Sequence, residues 1–168
     1  EVPTIIDFVQ DTEKDWLLMI ALPGDDATTS KLLPKDQINL LADNLRRLHS
    51  LDVAGCPFRH SIDQCIAESA EVLHAGRVDT DDFHQENVGR DPHDLFSELL
   101  ATKPIQEDAT ITHGDYCLPN IILDGECFSG FIDLGRSGIG DPYRDLALIE
   151  RSLRSNLGPG WSDTFFER

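Results

Sequence analysis

The feature that most constrains this chain is one stretch of 25 residues, Thr112-His113-Gly114-Asp115-Tyr116-Cys117-Leu118-Pro119-Asn120 followed by Ile132-Asp133-Leu134-Gly135-Arg136. A short strand, Ala109–Thr112, delivers a carboxylate, Asp115, into a loop. Five residues on comes an amide, Asn120, at the edge of a hairpin formed by Ile121–Leu123 and Cys127–Ile132. The turn is placed at Asp124-Gly125, a pair that accepts positive φ. A tight hairpin sets its two ends side by side, so Asn120 and Asp133 are expected to be neighbours. Two hard oxygen donors at one spot suit Mg²⁺, which favours carboxylate, carbonyl and water ligands together with phosphate oxygens. Asp115 precedes this pair in the loop and is free to orient an attacking hydroxyl. Those are the parts that phosphoryl transfer needs.

The rest of the chain frames that stretch. Thr4–Gln10 and Trp16–Leu22 read as two strands turned at residues 11–15, with Pro23-Gly24 breaking the second. A helix is expected from about Lys35 to Ser50, with Ile38, Leu41, Leu45 and Leu48 on one face, and another over Ile62–Ala75. Residues 79–90 are polar and acidic and read as a loop or short irregular helix. Asp91-Pro92 opens a further helix with Leu95, Phe96, Leu99 and Leu100 expected to be buried. Asp141-Pro142 uses the same cap chemistry for a last helix to about Asn156, with Asp145 one turn inside and placed to hydrogen-bond the catalytic loop. His113 is read as a buried brace of that loop. Strands segregated from helices give an α+β class rather than a parallel sheet.

Charge limits the partners. With 31 acidic and 14 basic residues the formal net charge is −17. Such a surface repels nucleic-acid backbones and anionic membranes and attracts polycations, although it also serves plain solubility. No run of 18 apolar residues exists to span a bilayer. The four cysteines, Cys56, Cys65, Cys117 and Cys127, form no C-x-x-C pair and no zinc-spaced cluster, which fits reduced thiols in a cytoplasmic protein. The opening Glu-Val-Pro-Thr has neither a starting Met nor a secretory signal, the expected mark of processing or of a partial sequence. Oligomeric state is not legible.

H-G-D-x-x-x-x-N followed by I-D-x-G resembles the catalytic core of the protein-kinase-like fold, closest to the aminoglycoside 3′-phosphotransferase family. Leu45-Arg46-Arg47-Leu48-His49-Ser50, Cys56-Pro57-Phe58, Gly76-Arg77-Val78-Asp79 and Tyr143-Arg144-Asp145-Leu146-Ala147 extend the resemblance over nearly the whole chain. It implies a mostly helical C-terminal lobe over residues 23–168, with residues 1–22 as the last strands of an N-terminal lobe and the hinge. It implies ATP as co-substrate, Asp115 as the catalytic aspartate, and Asn120 and Asp133 as the magnesium ligands. The backbone at Ile20 and Leu22 would hydrogen-bond the adenine edge. The acidic segment resembles the family's antibiotic-binding loop, with Asp79 and Asp82 meeting the substrate's ammonium groups; a solvated loop is the plain alternative. His84 and Gln85 stand where acidic residues are common in relatives. Arg136 would pair with phosphate, with an acidic residue of the substrate loop, or with a surface carboxylate. The glycine-rich loop and lysine–glutamate pair of the N-terminal lobe, and the terminal acidic helices, are not in these 168 residues, so the chain reads as a fragment.

The expected activity is ATP-dependent phosphorylation of an aminoglycoside hydroxyl, a polycationic small-molecule substrate, as a means of antibiotic resistance. A kinase for choline, homoserine or a ketosamine is the enzymatic alternative. A fragment that binds without turnover is the non-enzymatic one.

Overall fold

The computed structural model describes residues 1–168 and has the expected α+β organisation, with helices packed around small antiparallel sheets. β1 (Ile5–Gln10) and β2 (Asp15–Met19) pair antiparallel as a ribbon of their own. Asp11 closes the turn, its carboxylate accepting the Glu13 and Lys14 N–H groups at 2.7 and 2.8 Å. All residues of both strands are exposed. The second strand ends at Met19 rather than Leu22, although the Ile20 N–H still donates to Thr4 O at 2.9 Å.

After the ribbon the chain adds a two-residue strand, β3 (Asp25–Asp26), to the edge of the 121–131 hairpin, giving a three-stranded sheet. β5 (Ile121–Asp124) and β6 (Cys127–Phe131) pair antiparallel, and Asp124 closes the ladder opposite Cys127. The turn residues are therefore Gly125 and Glu126, one step later than expected. Positive φ (60°) falls on Gly125, the first central position, in the manner of a II′ turn. β4 (Thr110–Thr112) pairs with a strand that no sequence pattern marks, β7 (Gly138–Gly140).

Of the helices, α1 (Pro34–His49) has proline at its first turn, where the missing N–H costs nothing. Its Ile38, Leu41 and Leu45 face is fully buried, as the periodicity predicts. α2 (Ile62–His74) starts on a capping box between Ser61 and Gln64. α3 (Pro92–Thr102) is capped by Asp91, which accepts the His93 N–H at 2.7 Å. α4 (Tyr143–Leu157) begins one residue late, yet Asp141 still accepts its Tyr143 N–H at 3.0 Å. α5 (Trp161–Phe166) follows a glycine turn and was not expected.

The core gathers α1, α4 and α5 around the catalytic loop and hairpin: Ile38, Leu41, Tyr116, Ile121, Ile149 and Phe165 pack in one cluster. Burying each such side chain is worth about 1.5–3 kcal/mol. Tyr116 also donates its hydroxyl to Leu41 O at 2.8 Å, tying the loop to α1. One expectation fails here. No residue of α3 is fully buried: Leu95 and Phe96 are half-buried, while Leu99 and Leu100 are exposed (43% and 50%), because α3 packs chiefly on α2 and Leu99 lines an open cavity between them.

Candidate active site

The loop after β4 is held from beneath by a buried carboxylate. Asp145, in the first turn of α4, is fully enclosed and accepts the His113 and Gly114 N–H groups at 2.8 Å each. Its Oδ2 also lies 3.0 Å from His49 Nε2, at the end of α1. A buried carboxylate needs such partners, since each unmet hydrogen bond there costs about 1–3 kcal/mol. His49 is the contributor that sequence reading missed. Gly114 is required by space as well as by φ (83°): a Cβ there would lie 2.1 Å from Arg136 O.

His113 is completely buried, with its ring edge-on to Tyr116 and Phe131. Its Nδ1 accepts the Asp115 N–H at 3.3 Å, which assigns the proton to Nε2. Nε2 has the Ile132 backbone nearby but no partner in hydrogen-bond geometry. Burial lowers the His113 pKa, against the opposing pull of the Asp145, Asp115 and Asp133 carboxylates. The brace is thus neutral and is not an acid or base.

Asp115 is half-buried above this support. Asn120, buried, donates its amide Nδ2 to both Asp115 O and Asp115 Oδ2 at 3.0 Å. That leaves Asp115 Oδ1 and Asn120 Oδ1 without protein donors. The Asn120 carbonyl accepts the Ile132 N–H at 3.0 Å, so Asn120 and the Ile132-Asp133 step meet at the open end of the hairpin. Asp133 is exposed, and its carboxylate has no hydrogen bond or ion pair. It is the single non-glycine residue with positive φ (57°), a costly backbone state that concentrates at functional positions. Two neighbouring oxygen donors, both unused by the protein, fit a Mg²⁺ that keeps water and phosphate oxygens as its other ligands. No cluster of three or more His, Cys, Asp or Glu offers an all-protein cage.

Leu22, expected in the hinge, sits against the same hairpin. A Cβ on Gly130 would lie 2.7 Å from Leu22 Cδ1 and 2.6 Å from Glu1 O, so only glycine fits at position 130. The Ile20 N–H is already bonded to Thr4, while the Ile20 carbonyl and both backbone groups of Leu22 have no backbone partner. Cys117, in the loop itself, is half-buried, and burial together with Asp115 pushes its thiol up to about 11. It is no nucleophile at neutral pH. All four cysteines are free.

The proposed substrate residues lie apart from the triad. Arg136 is exposed, pairs with no carboxylate, and lines a cavity of about 880 Å³ between α2, α3 and the start of α4. Asp115, Asn120 and Asp133 do not line that cavity; Arg136 is where it adjoins the catalytic loop. Asp79 accepts the Asp81 N–H at 3.0 Å in a local turn. Asp82 is ion-paired with Arg151 of α4, which also donates to the Asp82 carbonyl at 3.1 Å.

A carboxylate over a loop, an amide and a second carboxylate at the mouth of a hairpin, and a helical lobe beneath are arranged as in the kinase-like fold. The chain belongs to the phosphotransferase enzyme family (APH), whose model matches residues 1–168. It is similar to the aminoglycoside 3′-phosphotransferase of Niallia circulans, with 39% identity over 159 residues, 94% of this chain and 60% of that protein. The Streptomyces fradiae enzyme of the same name is 34% identical over 177 residues, covering 99% and 65%. Among solved structures, the aminoglycoside phosphotransferase APH(3'')-Id from Streptomyces rimosus superposes with a TM-score of 0.89 at 32% identity, covering 99% of this chain and 65% of that one. Its complex with ADP and streptomycin gives 0.86 at the same identity, covering 99% and 66%. The chain thus spans about 60–65% of the length of these curated relatives.

Proposed function

We propose that this chain carries the catalytic machinery of an ATP-dependent O-phosphotransferase that modifies a hydroxyl of an aminoglycoside. The observation that carries this is the placement of Asp115, Asn120 and Asp133 around one hairpin mouth, with their free oxygens turned to no protein partner. Asp115 Oδ1 accepts the proton side of the acceptor hydroxyl and aims its oxygen at the phosphorus. Asn120 fixes the other carboxylate oxygen and holds Asp115 in one rotamer. Asn120 Oδ1 and Asp133 would hold Mg²⁺, which when bound neutralises charge on the β- and γ-phosphates. Residues 1–22 act as the edge of a smaller lobe and the hinge, offering the unpaired Ile20 carbonyl and Leu22 backbone to the adenine edge. Arg136, Asp79 and Asp82 serve the acceptor side.

The acceptor class follows from charge: a net −17 draws a polyammonium sugar and disfavours an anionic alcohol. No helix is long and apolar enough to cross a membrane, and we place the enzyme in the cytoplasm, where ATP is available. The test is phosphate transfer from ATP by the purified natural protein to kanamycin, with choline, homoserine and a ketosamine in parallel. Phosphorylated kanamycin is expected. Turnover of one of the other alcohols without kanamycin would overturn the substrate, and turnover of none would overturn the activity.

A further inference from the structure

His60 stands where three segments meet, and both edges of its ring are in use. Residues 58–60 run beside β7: the Ile139 N–H donates to Phe58 O and the His60 N–H to Ile139 O, each at 2.9 Å. That pairing sets the His60 backbone close to the loop leaving Asp133. The imidazole, 12% exposed, has Nδ1 3.2 Å from the Arg136 carbonyl oxygen and Nε2 3.3 Å from Glu68 Oε2 on α2. A carbonyl and an ionised carboxylate only accept hydrogen bonds. Each contact therefore needs a proton on the nitrogen that faces it, and both hold together only when the ring donates from both nitrogens.

What the ring grips is not incidental to the site. The Arg136 carbonyl is the atom against which Gly114 is packed, and Gly114 is anchored by Asp145 immediately before Asp115. The Arg136 peptide is thus in contact with both the catalytic loop and His60. Arg136, whose guanidinium has no carboxylate partner, lines the cavity whose wall also holds His60 and Glu68. Lys103, on the same wall, is committed to Asp63, and Asp141 accepts the Asp108 N–H. Glu68 is the one carboxylate that touches the ring.

We propose that His60 is a positioning residue: bridging Glu68 and the Arg136 carbonyl as a double donor, it fixes the peptide from which Arg136 reaches the acceptor. This rests on the assignment of Arg136 to the acceptor side. Its consequence is a separation of effects, since the nucleotide side is built from the hairpin and the ribbon, neither of which His60 touches.

The experiment measures kanamycin and ATP kinetics in the natural enzyme for His60→Ala, His60→Gln and Glu68→Gln, with nitrogen-15 spectra of the imidazole. We expect His60→Ala to raise the KM for kanamycin about tenfold, the scale of one hydrogen bond to a charged group. The KM for ATP should stay within about twofold. The Gln variant, whose amide has two N–H donors, should recover part of the loss. Both ring nitrogens should carry protons in the wild type, and one should lose its proton in Glu68→Gln. An unchanged kanamycin KM, or equal losses for both substrates, would overturn the proposal, the second because it marks a merely structural role. If the wild type does not act on kanamycin, the substrate assignment falls. The ring spectrum then decides separately, and a singly protonated imidazole would sink the double-donor bridge.

Discussion

The two loops that would meet the acceptor are built in opposite ways. The catalytic loop, residues 113–120, is fixed by buried contacts: two N–H groups on Asp145, the Tyr116 hydroxyl on α1, the Leu118 N–H on Ser152 Oγ at 3.0 Å, and Asn120 on Asp115. The acidic segment, residues 79–90, buries none of its residues fully. It is pinned to α4 by exposed ion pairs, Asp82 with Arg151 and Glu86 with Arg154 at 3.8 Å. The difference suits the two tasks proposed for them. Positioning a hydroxyl for in-line attack fails with displacements of about 1 Å, so its support has to be rigid. Gripping ammonium groups tolerates adjustment, and loops with few buried contacts supply it at low local stability.

The largest effect expected from breaking the rigid side is on rate. Asp115→Asn keeps the Asn120 contact but removes the acceptor for the hydroxyl proton. Turnover should fall about 10²–10⁴-fold, the usual worth of a positioned base, with ATP binding nearly unchanged. Single-turnover assays with nucleotide titration check it. A variant keeping more than about half of wild-type kcat would remove Asp115 from the chemistry.

Next in size is the support beneath it. Asp145→Ala leaves two buried N–H groups without an acceptor, and His49 without its partner. At about 1–3 kcal/mol per stranded group, stability should drop by about 2–5 kcal/mol. Urea unfolding measures it, and Asp145→Asn, with one acceptor oxygen left, should fall between. A loss below about 1 kcal/mol would show that the loop is not held from Asp145.

The same contrast governs what could be read from the chain. The placement of the proposed catalytic residues was legible because strand, loop and hairpin are contiguous, and spacing alone sets Asn120 beside the Ile132-Asp133 step. Asp145 was legible as a brace through its place in a helix, but His49, 96 residues away, was not. Neither was the pairing of Asp82 with Arg151 across 69 residues, since a surface ion pair leaves no periodic trace. β3 and β7 escaped notice because two or three residues carry no alternation. Leu99 and Leu100 show the converse limit: a helical period identifies an apolar row without saying whether anything covers it.

A smaller effect is expected from the neutral brace. The buried His113 ring resists protonation, while in the unfolded chain it takes a proton near its ordinary value of 6.5. The unfolded state then binds more protons, so this contribution is complete above about pH 6.5 and is lost as pH falls below it. A single proton can tilt stability by at most about 1.4 kcal/mol per pH unit. Urea midpoints from pH 7.5 to 5 should therefore decline more steeply in the wild type than in His113→Gln, whatever the variant's overall loss in packing. Parallel slopes would mean that the ring charges as freely in the native state as in the unfolded one.

The smallest effect should come from the adaptable side, and its smallness is what is being tested. Arg151 and Asp82 are 47% and 70% exposed, so water screens their attraction and two long side chains must be ordered to hold it. Arg151→Ala should change stability by no more than about 0.5 kcal/mol, and in salt the difference should shrink further. Its effect on binding should be a gain, where the Asp115 variant loses rate and the Asp145 variant loses stability. Freed of its arginine, the Asp82 carboxylate is available to an ammonium group, so the KM for kanamycin should fall by a factor of about two to five, an energy on the scale of one exposed ion pair. Kinetics at low and at high ionic strength, with thermal unfolding alongside, separate the two effects. A stability loss above about 1.5 kcal/mol would mean that the acidic segment is as firmly built as the catalytic loop. A raised KM would mean that Arg151 shapes the loop for the substrate instead of competing with it.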